Sequence, residues 1–436
     1  MITSATLFHR SLGLNVSPTG PPAEGLSHTV ASQLYHDTDY DLRARFSASR
    51  AGLTGHKKGI NCLGSDELEG RWVVSGGADG SLVIWDLEQE GLRRNIRASS
   101  VVSEKDRPSH GVSSVKFNPH NSSLFSTTSY SATLSLYSLT PTSPTLLQTY
   151  PLDSHLYTHS TSPASTSTAT IAVAGSSPHI RLIDPRTTSA SQTLFGHISS
   201  VFSVAWSPLY SSILASGGAD GSLRLWDIRF GATCLGTLDV NRHPQAANRT
   251  AGKAHDGGVN GILWSADGRR VVSAGMDGKI RVWSMEDGMN MCVVFPPVLR
   301  NKYQAAFPMI ITDSGIDSDT GGGNGDEVLW IGCEDQVIAF DLEDGRMLKR
   351  VGIPKTEVRY GMGRITGLVE RKGHSELYTS HTWTDGNGIE GGREALARWR
   401  AKWLSNEDKV AVKKTEKQQL LQDIFEKASK KRVTFT

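Results

Sequence analysis

The string Ser75-Gly76-Gly77-Ala78-Asp79-Gly80-Ser81-Leu82-Val83-Ile84-Trp85-Asp86 returns almost letter for letter at Ser216–Asp227, and a third time, more loosely, at Ser273–Ser284. Internal repetition constrains a chain more than any local propensity does, because a unit that cannot bury its own apolar face must stack on its neighbours. Each copy reads as a strand, an Asp-Gly turn and a second strand, which is the signature of a hairpin. A further strand stands upstream, as in Val201-Phe202-Ser203-Val204-Ala205-Trp206-Ser207-Pro208, with Val259–Trp264 and the Asp267-Gly268 turn as its counterpart in the next copy. Weaker copies fill the gaps. They run from Val115–Pro119 through Leu134–Tyr137, over Ile171–Asp184 and Val328–Asp341, and from Ile365–Leu368 through Ala397–Trp399.

These units resemble WD repeats, four-stranded blades that recur every ~40–45 residues. Three strong and four weak copies predict an all-β, seven-bladed WD-repeat β-propeller over residues 51–403, a closed ring without long free edges. The 44 glycines and ten tryptophans suit a repeated turn and one aromatic per blade. An N-terminal helix–loop–helix arm is expected over residues 1–50. There Leu7, Phe8, Leu12 and Leu14 form an apolar stripe, and Ser27 caps a helix carrying Val30, Leu34, Leu42 and Phe46. A charged, helical tail is expected over 404–436. Residues 159–169, 313–326 and 383–393 read as mobile inserts between strands.

Net charge is only +2, so strong direct binding of DNA by the propeller is not expected. Cys62, Cys234, Cys292 and Cys333 lie far apart with no CxxC pair, which argues against a zinc site and a disulfide framework. Neither a phosphate-binding loop nor a metal-ligand pair is evident, and no cofactor is expected. With no long apolar run and no basic-then-apolar start, the chain reads as soluble and intracellular, away from membranes.

One constellation invites a hydrolase reading. His56, Ser75, Asp79 and Trp85 recur as His197, Ser216, Asp220 and Trp226 at identical spacing, and as His255, Ser273, Asp277 and Trp283 with one residue fewer. A serine, histidine and aspartate set is the equipment of nucleophilic catalysis. Three copies at blade period argue instead for a buried polar relay, in which the imidazole donates to the aspartate and the hydroxyl and indole complete the chain. Such groups must be paired once buried or each costs ~1–3 kcal/mol. The resemblance to WD repeats implies the same structural role, and the chain reads as a non-enzyme.

Function must then come from surface motifs. Leu225-Trp226-Asp227-Ile228-Arg229 matches the Trp-Asp-x-Arg box of cullin-4 ligase substrate receptors, and Leu182-Ile183-Asp184-Pro185-Arg186 is a second Asp-x-Arg on the preceding repeat. Two guanidiniums on one rim suit bidentate pairing with carboxylates or carbonyls. Further strings run in order along the chain: Gly59-Ile60-Asn61, Glu69-Gly70-Arg71, Leu156-Tyr157-Thr158-His159, Ala205–Tyr210, Ala254–Gly261 and Glu376-Leu377-Tyr378. With them the whole chain resembles the Cockayne syndrome A family. That resemblance implies a nuclear substrate receptor of a cullin-4 RING ubiquitin ligase, working in transcription-coupled nucleotide excision repair. Its implied partners are the UV-damaged-DNA-binding adaptor, a Cockayne syndrome B-type ATPase and stalled RNA polymerase II. The adaptor-binding set is Leu7, Phe8, Leu12, Asp184, Arg186, Asp227 and Arg229. The alternative is a WD-repeat scaffold in chromatin or RNA processing without a ligase.

Three features depart from the family pattern. The inserts are foreign to it, Ser131 stands near where the second repeat should carry its aspartate, and a Lys-rich tail follows Trp403. In that tail Lys413-Lys414 and Lys430-Lys431-Arg432 read either as a nuclear import signal or as a solvated charged end.

Overall fold

Alternating apolar and polar residues, punctuated by Gly and Asp turns, produce strands throughout. The computed structural model describes residues 40–47, 56–88, 95–140, 143–164, 170–187, 190–230, 234–240, 252–296, 299–313, 327–352, 363–371, 376–383 and 396–401.

Strand β1 is Tyr40–Ser47. The first sheet holds β2 (Ile60–Ser65), β3 (Trp72–Gly77) and β4 (Leu82–Asp86), and after β5 (Asn95–Arg97) the short β6 (Ser100–Val101) closes it. The second sheet holds β7 (Val112–Asn118), β8 (Asn121–Ser129), β9 (Thr133–Leu139) and β10 (Pro144–Pro151). The third holds β11 (Leu156–Thr161), β12 (Ile171–Gly175), β13 (Ile180–Ile183) and β14 (Ala190–Leu194). The fourth holds β15 (Val201–Trp206), β16 (Ile213–Gly218), β17 (Leu223–Asp227) and β18 (Cys234–Leu238). Three strands make the fifth, β19 (Val259–Trp264), β20 (Arg270–Gly275) and β21 (Ile280–Ser284). The sixth holds β22 (Met309–Asp313), β23 (Glu327–Cys333), β24 (Gln336–Asp341) and β25 (Met347–Gly352).

These six follow chain order. A further, five-stranded sheet joins β26 (Gly363–Arg371), β27 (Glu376–Trp383) and β28 (Leu396–Ala401) from the end of the chain to β1 from its beginning, with β5 parallel beside β1. The innermost strands β2, β7, β11, β15, β19, β22 and β26 neighbour one another in turn, and β26 returns to β2. They enclose an axial cavity of about 1240 Å³. The chain is an all-β WD40 β-propeller.

The core is divided among the seams. Trp85 packs with Val73, Val83 and Tyr378, joining the first sheet to the last. Trp226 packs with Ala172, Leu182 and Leu194 between the third and fourth sheets, and Trp283 with Ala215, Leu223 and Leu238 between the fourth and fifth. All three indoles are fully buried. Each seam removes the apolar faces of two sheets from water at once, which is why no sheet is stable alone.

Residues 40–47 correct the expected helical arm. They form β1, paired antiparallel with β28 from Tyr40↔Ala401 to Arg45↔Ala397, with an irregularity between Leu42 and Ala44. The reason is legible afterwards. Tyr40, Leu42, Ala44 and Phe46 alternate with Asp41, Arg43, Arg45 and Ser47, a period of two. Pairing also covers the free edge of β28, satisfying a row of backbone donors and acceptors that a helix would leave open. The rest of the arm, including Leu7, Phe8, Leu12 and Leu14, and the tail over 404–436 lie outside the described residues.

The inserts are smaller than the sequence suggests. His159–Thr161 belong to β11, Asp313 ends β22 and Trp383 ends β27. The remaining insert residues described, 162–164, include Ser162, whose hydroxyl donates to the Ser211 carbonyl.

Candidate interaction face and buried relay

Each strong repeat places its histidine in the loop before the innermost strand, its serine on the second strand, its aspartate in the hairpin turn and its tryptophan on the third strand. The turn needs a left-handed residue, supplied by Gly221 at φ +80° and by its equivalents Gly80 and Gly278. Gly218 is needed for another reason, since a Cβ there would clash with both the Asp220 carboxylate and the His197 ring.

In the fourth sheet the chain of hydrogen bonds is continuous. Trp226 Nε1 donates to Ser216 Oγ at 2.7 Å, and Ser216 Oγ lies 2.7 Å from His197 Nε2. His197 Nδ1 is 3.0 Å from Ser222 Oγ, which donates to Asp220 Oδ1 at 2.7 Å. An indole can only donate and a carboxylate can only accept, so direction is fixed from both ends: Ser216 donates to Nε2, and Nδ1–H donates to Ser222. The first sheet repeats this through Trp85, Ser75, His56, Ser81 and Asp79, at 3.0, 2.7, 2.6 and 2.5 Å.

Here the structure departs from the expected link. His197 Nδ1 is 3.8 Å from Asp220 and His56 Nδ1 is 4.0 Å from Asp79, so Ser222 and Ser81 carry the contact. Only in the fifth sheet, where Lys279 replaces that serine, does His255 Nδ1 meet Asp277 Oδ1 directly, at 3.0 Å. Arg281 Nη1 then reaches Asp277 Oδ2 at 3.0 Å, while Ser273 and Trp283 complete the set. The bridging serine stands two residues after Asp79 and after Asp220, but a search that assigns one serine to each histidine and aspartate passes over it.

Ser75, Ser216 and Ser273 have no exposed surface, and the three imidazoles have none either. A nucleophile in that position cannot meet a substrate. Burial opposes ionisation of Asp220, yet the nearby His197 ring and hydrogen bonds from the Ser222 hydroxyl and backbone N–H hold its carboxyl below the usual range, and Asp79 behaves alike beside His56 with Ser81 donating. Burial lowers His197 and His255 against the pull of their aspartates, keeping both rings neutral.

The second sheet lacks an aspartate and uses two substitutes. Ser129, Ser131 and Thr133 close a hydroxyl triangle at 2.5, 2.8 and 3.1 Å where the carboxylate would stand. The histidine comes from the neighbouring sheet: His159 Nε2 lies 2.8 Å from Ser126 Oγ and Nδ1 lies 3.2 Å from Thr128 Oγ1. His159 sits on the innermost strand β11, not in a loop, so a fixed histidine-to-serine offset along one repeat misses it. Burial pushes its imidazole down to about 3, and that of His381 in the last sheet to about 4.

A pH dependence follows. An unfolded histidine takes up a proton near pH 6.5. These two refuse it while folded, so stability present above pH 6.5 is lost as pH falls toward 4, by up to about 1.4 kcal/mol per pH unit for each ring. Thermal melts between pH 7.5 and 4.5 should show that decline, and His159→Gln should melt with a shallower pH slope. An unchanged slope would remove His159 from the account.

The Asp-x-Arg boxes lie at the other end of the third strands. In the fourth sheet Asp227 ends β17 and accepts from Arg229 Nε at 3.0 Å and Nη2 at 2.7 Å. In the third, Asp184 follows β13 and accepts from Arg186 Nε at 3.1 Å and Nη2 at 2.8 Å. The aspartates are largely covered, while the arginine side chains are 67% and 62% exposed. Each arginine's hydrogen bonds hold its aspartate below the usual carboxylate range. The boxes therefore occupy equivalent ends of corresponding strands in neighbouring sheets.

The turn itself does not require the arginine. Asp86 and Asp341 close the same turn by accepting the backbone N–H two residues on, at 3.1 and 2.9 Å, yet Glu88 and Glu343 stand there. At Asp86 the carboxylate is met from another strand connection, by Arg71. The fourth sheet's 3-10 turn Ile228–Phe230 and the Tyr150 hydroxyl donating to the Pro185 carbonyl at 2.8 Å support the two loops locally.

The family model described as "WD domain, G-beta repeat" matches residues 48–86, 189–227 and 249–284, the three strong repeats. Among curated proteins, the chain is similar to "WD repeat-containing protein ATCSA-1" of Arabidopsis thaliana, 26% identical over 80% of this chain and 90% of that protein. It is also similar to "Ribosome biogenesis protein ytm1" of Aspergillus niger, 27% identical over 61% of this chain and 60% of that one. The ytm1 of Neosartorya fischeri is 30% identical over 49% and 48%. The chain thus spans about half to three fifths of these two ytm1 proteins, but nine tenths of the plant protein.

Proposed function

We propose that this WD-repeat protein, with each sheet a blade of a seven-bladed ring, is the substrate-recognition subunit of a cullin-4 RING ubiquitin ligase. It acts in the nucleus, in transcription-coupled nucleotide excision repair at stalled RNA polymerase II, and it is not itself an enzyme. The observation that carries this reading is the pair of exposed guanidiniums, each locked by its own carboxylate, on adjacent sheets. A guanidinium held in place before a partner arrives loses little entropy on docking. It is also the side chain that pairs best with carboxylates and carbonyls. The UV-damaged-DNA-binding adaptor docks on this rim, with Leu7, Phe8 and Leu12 adding an apolar anchor. The Cockayne syndrome B-type ATPase completes the partner set. A near full-length likeness to the plant protein named ATCSA-1 supports the same reading.

The likeness to the ytm1 proteins favours a second reading, a ligase-free scaffold in RNA processing. Affinity purification of the tagged chain separates the two. The ligase reading expects cullin-4 and its adaptor among the retained proteins in stoichiometric amounts. Retention of precursor ribosomes without cullin-4 would replace it with the scaffold.

A further inference from the structure

At the Asp-Gly end of the ring, opposite the arginine rim, the junction of the third and fourth sheets holds a concentration of unsatisfied chemistry. Three buried atoms, His179 Nδ1, Ser199 Oγ and Arg224 Nε, have no hydrogen-bonding partner among the described residues. Native interiors pair nearly all such groups, and each orphan costs roughly 1–3 kcal/mol, so three in one corner call for a cause.

All three residues belong to, or lie against, the segment 195–200. The loop 196–200 is tied to the third sheet by Ser200 Oγ donating to the Ser176 carbonyl at 3.0 Å, and to the fourth by Ala219 N donating to the Ser200 carbonyl at 2.8 Å. His179 stacks on Phe195 with ring centroids 4.5 Å apart. Arg224 lies against Gly196, where a Cβ would stand 3.3 Å from its Nη1. Phe195, just before this loop, is 56% exposed and Ile198 within it is 82% exposed. The nearby Asp220 is already engaged by Ser222 and its backbone N–H, and no described carboxylate pairs with Arg224. A half-buried guanidinium without an acid, beside two exposed apolar side chains, lacks one kind of complement: a carboxylate next to an apolar group.

We propose that this junction binds an acidic segment of a partner protein. A carboxylate pairs with Arg224, with His179 and Ser199 within the same polar corner, and an apolar neighbour covers Phe195 and Ile198. Charge complementarity selects this occupant: a neutral apolar segment would bury the guanidinium unpaired. The site does not depend on the ligase reading, because it lies at the other end of β17 from Arg229.

The test uses the full chain and a phage-displayed library of random dodecapeptides. Selected peptides should share an Asp or Glu beside an apolar residue. The best binder, synthesised and measured by fluorescence polarisation, should bind roughly tenfold or more weakly to Arg224→Gln and to Ile198→Asp, as expected when a charged anchor or its apolar flank is lost. Ile198→Asp changes a side chain that is almost wholly in solvent, so its melting temperature should match the parent and a folding defect cannot mimic the loss. Arg229→Ala should bind the peptide unchanged. Selection of peptides without an acid, failure to select any, or binding to Arg224→Gln and Ile198→Asp as tight as to the parent chain would each overturn the proposal.

Discussion

Trp226→Ala is expected to lower the stability of the propeller by about 3–5 kcal/mol, the range for truncating a fully buried large aromatic. Two losses combine. The indole fills the seam between the third and fourth sheets against Ala172, Leu182 and Leu194, and it supplies the N–H that Ser216 Oγ accepts at 2.7 Å. Trp226→Phe separates them, because it keeps most of the volume and deletes the donor; about 1–2 kcal/mol is expected from that alone. Asp220→Ala removes the acceptor at the far end of the chain that runs through Ser222 and His197, and should cost about 1–3 kcal/mol. Urea denaturation midpoints at neutral pH check all three. If Trp226→Phe and Asp220→Ala both unfold where the parent does, the hydrogen-bonded chain contributes nothing and only indole packing remains.

That chain also shows how far the residues could be read without coordinates. Four of its five members, His197, Ser216, Asp220 and Trp226, were legible from spacing alone, since they sit at fixed offsets that a repeat must preserve. Its connectivity was not. Whether the imidazole meets the aspartate directly, at 3.0 Å, or through a serine, at 3.8 or 4.0 Å, depends on ring placement, and only Lys279 in the third copy hints at the difference. His159 was out of reach of the offset search because its partners Ser126 and Thr128 belong to another sheet.

The strands of the weak repeats followed from alternation, and so should β1 have done. Its residues carry both a helical and a two-residue apolar period, and the choice is made by the unpaired edge of β28, a tertiary fact no window of sequence contains. The arginine rim was legible as two motifs. That each guanidinium is pinned by its own carboxylate, and that Asp86 and Asp341 close the same turn with glutamate instead, required the structure. The corner of His179, Ser199 and Arg224 gave no sequence signal, because nothing in residue type distinguishes a paired arginine from an unpaired one.

On the proposed function, Arg229 and Arg186 are contacts for a ligase adaptor and not ornaments of a turn. Glutamate serves the turn elsewhere and the backbone N–H bonds to Asp227 and Asp184 remain, so removing either guanidinium should leave the fold intact, with at most a modest drop in melting temperature where the covered Asp227 loses its partner. Binding should respond differently. Interface energy concentrates in a few anchored residues, among which arginine is over-represented. Arg229 belongs to the complete box and stands on the better-covered aspartate, so Arg229→Ala should weaken adaptor binding by roughly thirtyfold, a typical anchor's share. Arg186→Ala should weaken it less, and deletion of residues 1–20 at least as much as Arg229→Ala. The measurement is isothermal calorimetry of the purified adaptor with the parent, Arg229→Ala and the deletion, each shown to be folded. A thirtyfold loss by a variant that remains folded is the predicted result; equal affinity for all three would leave a propeller without a ligase.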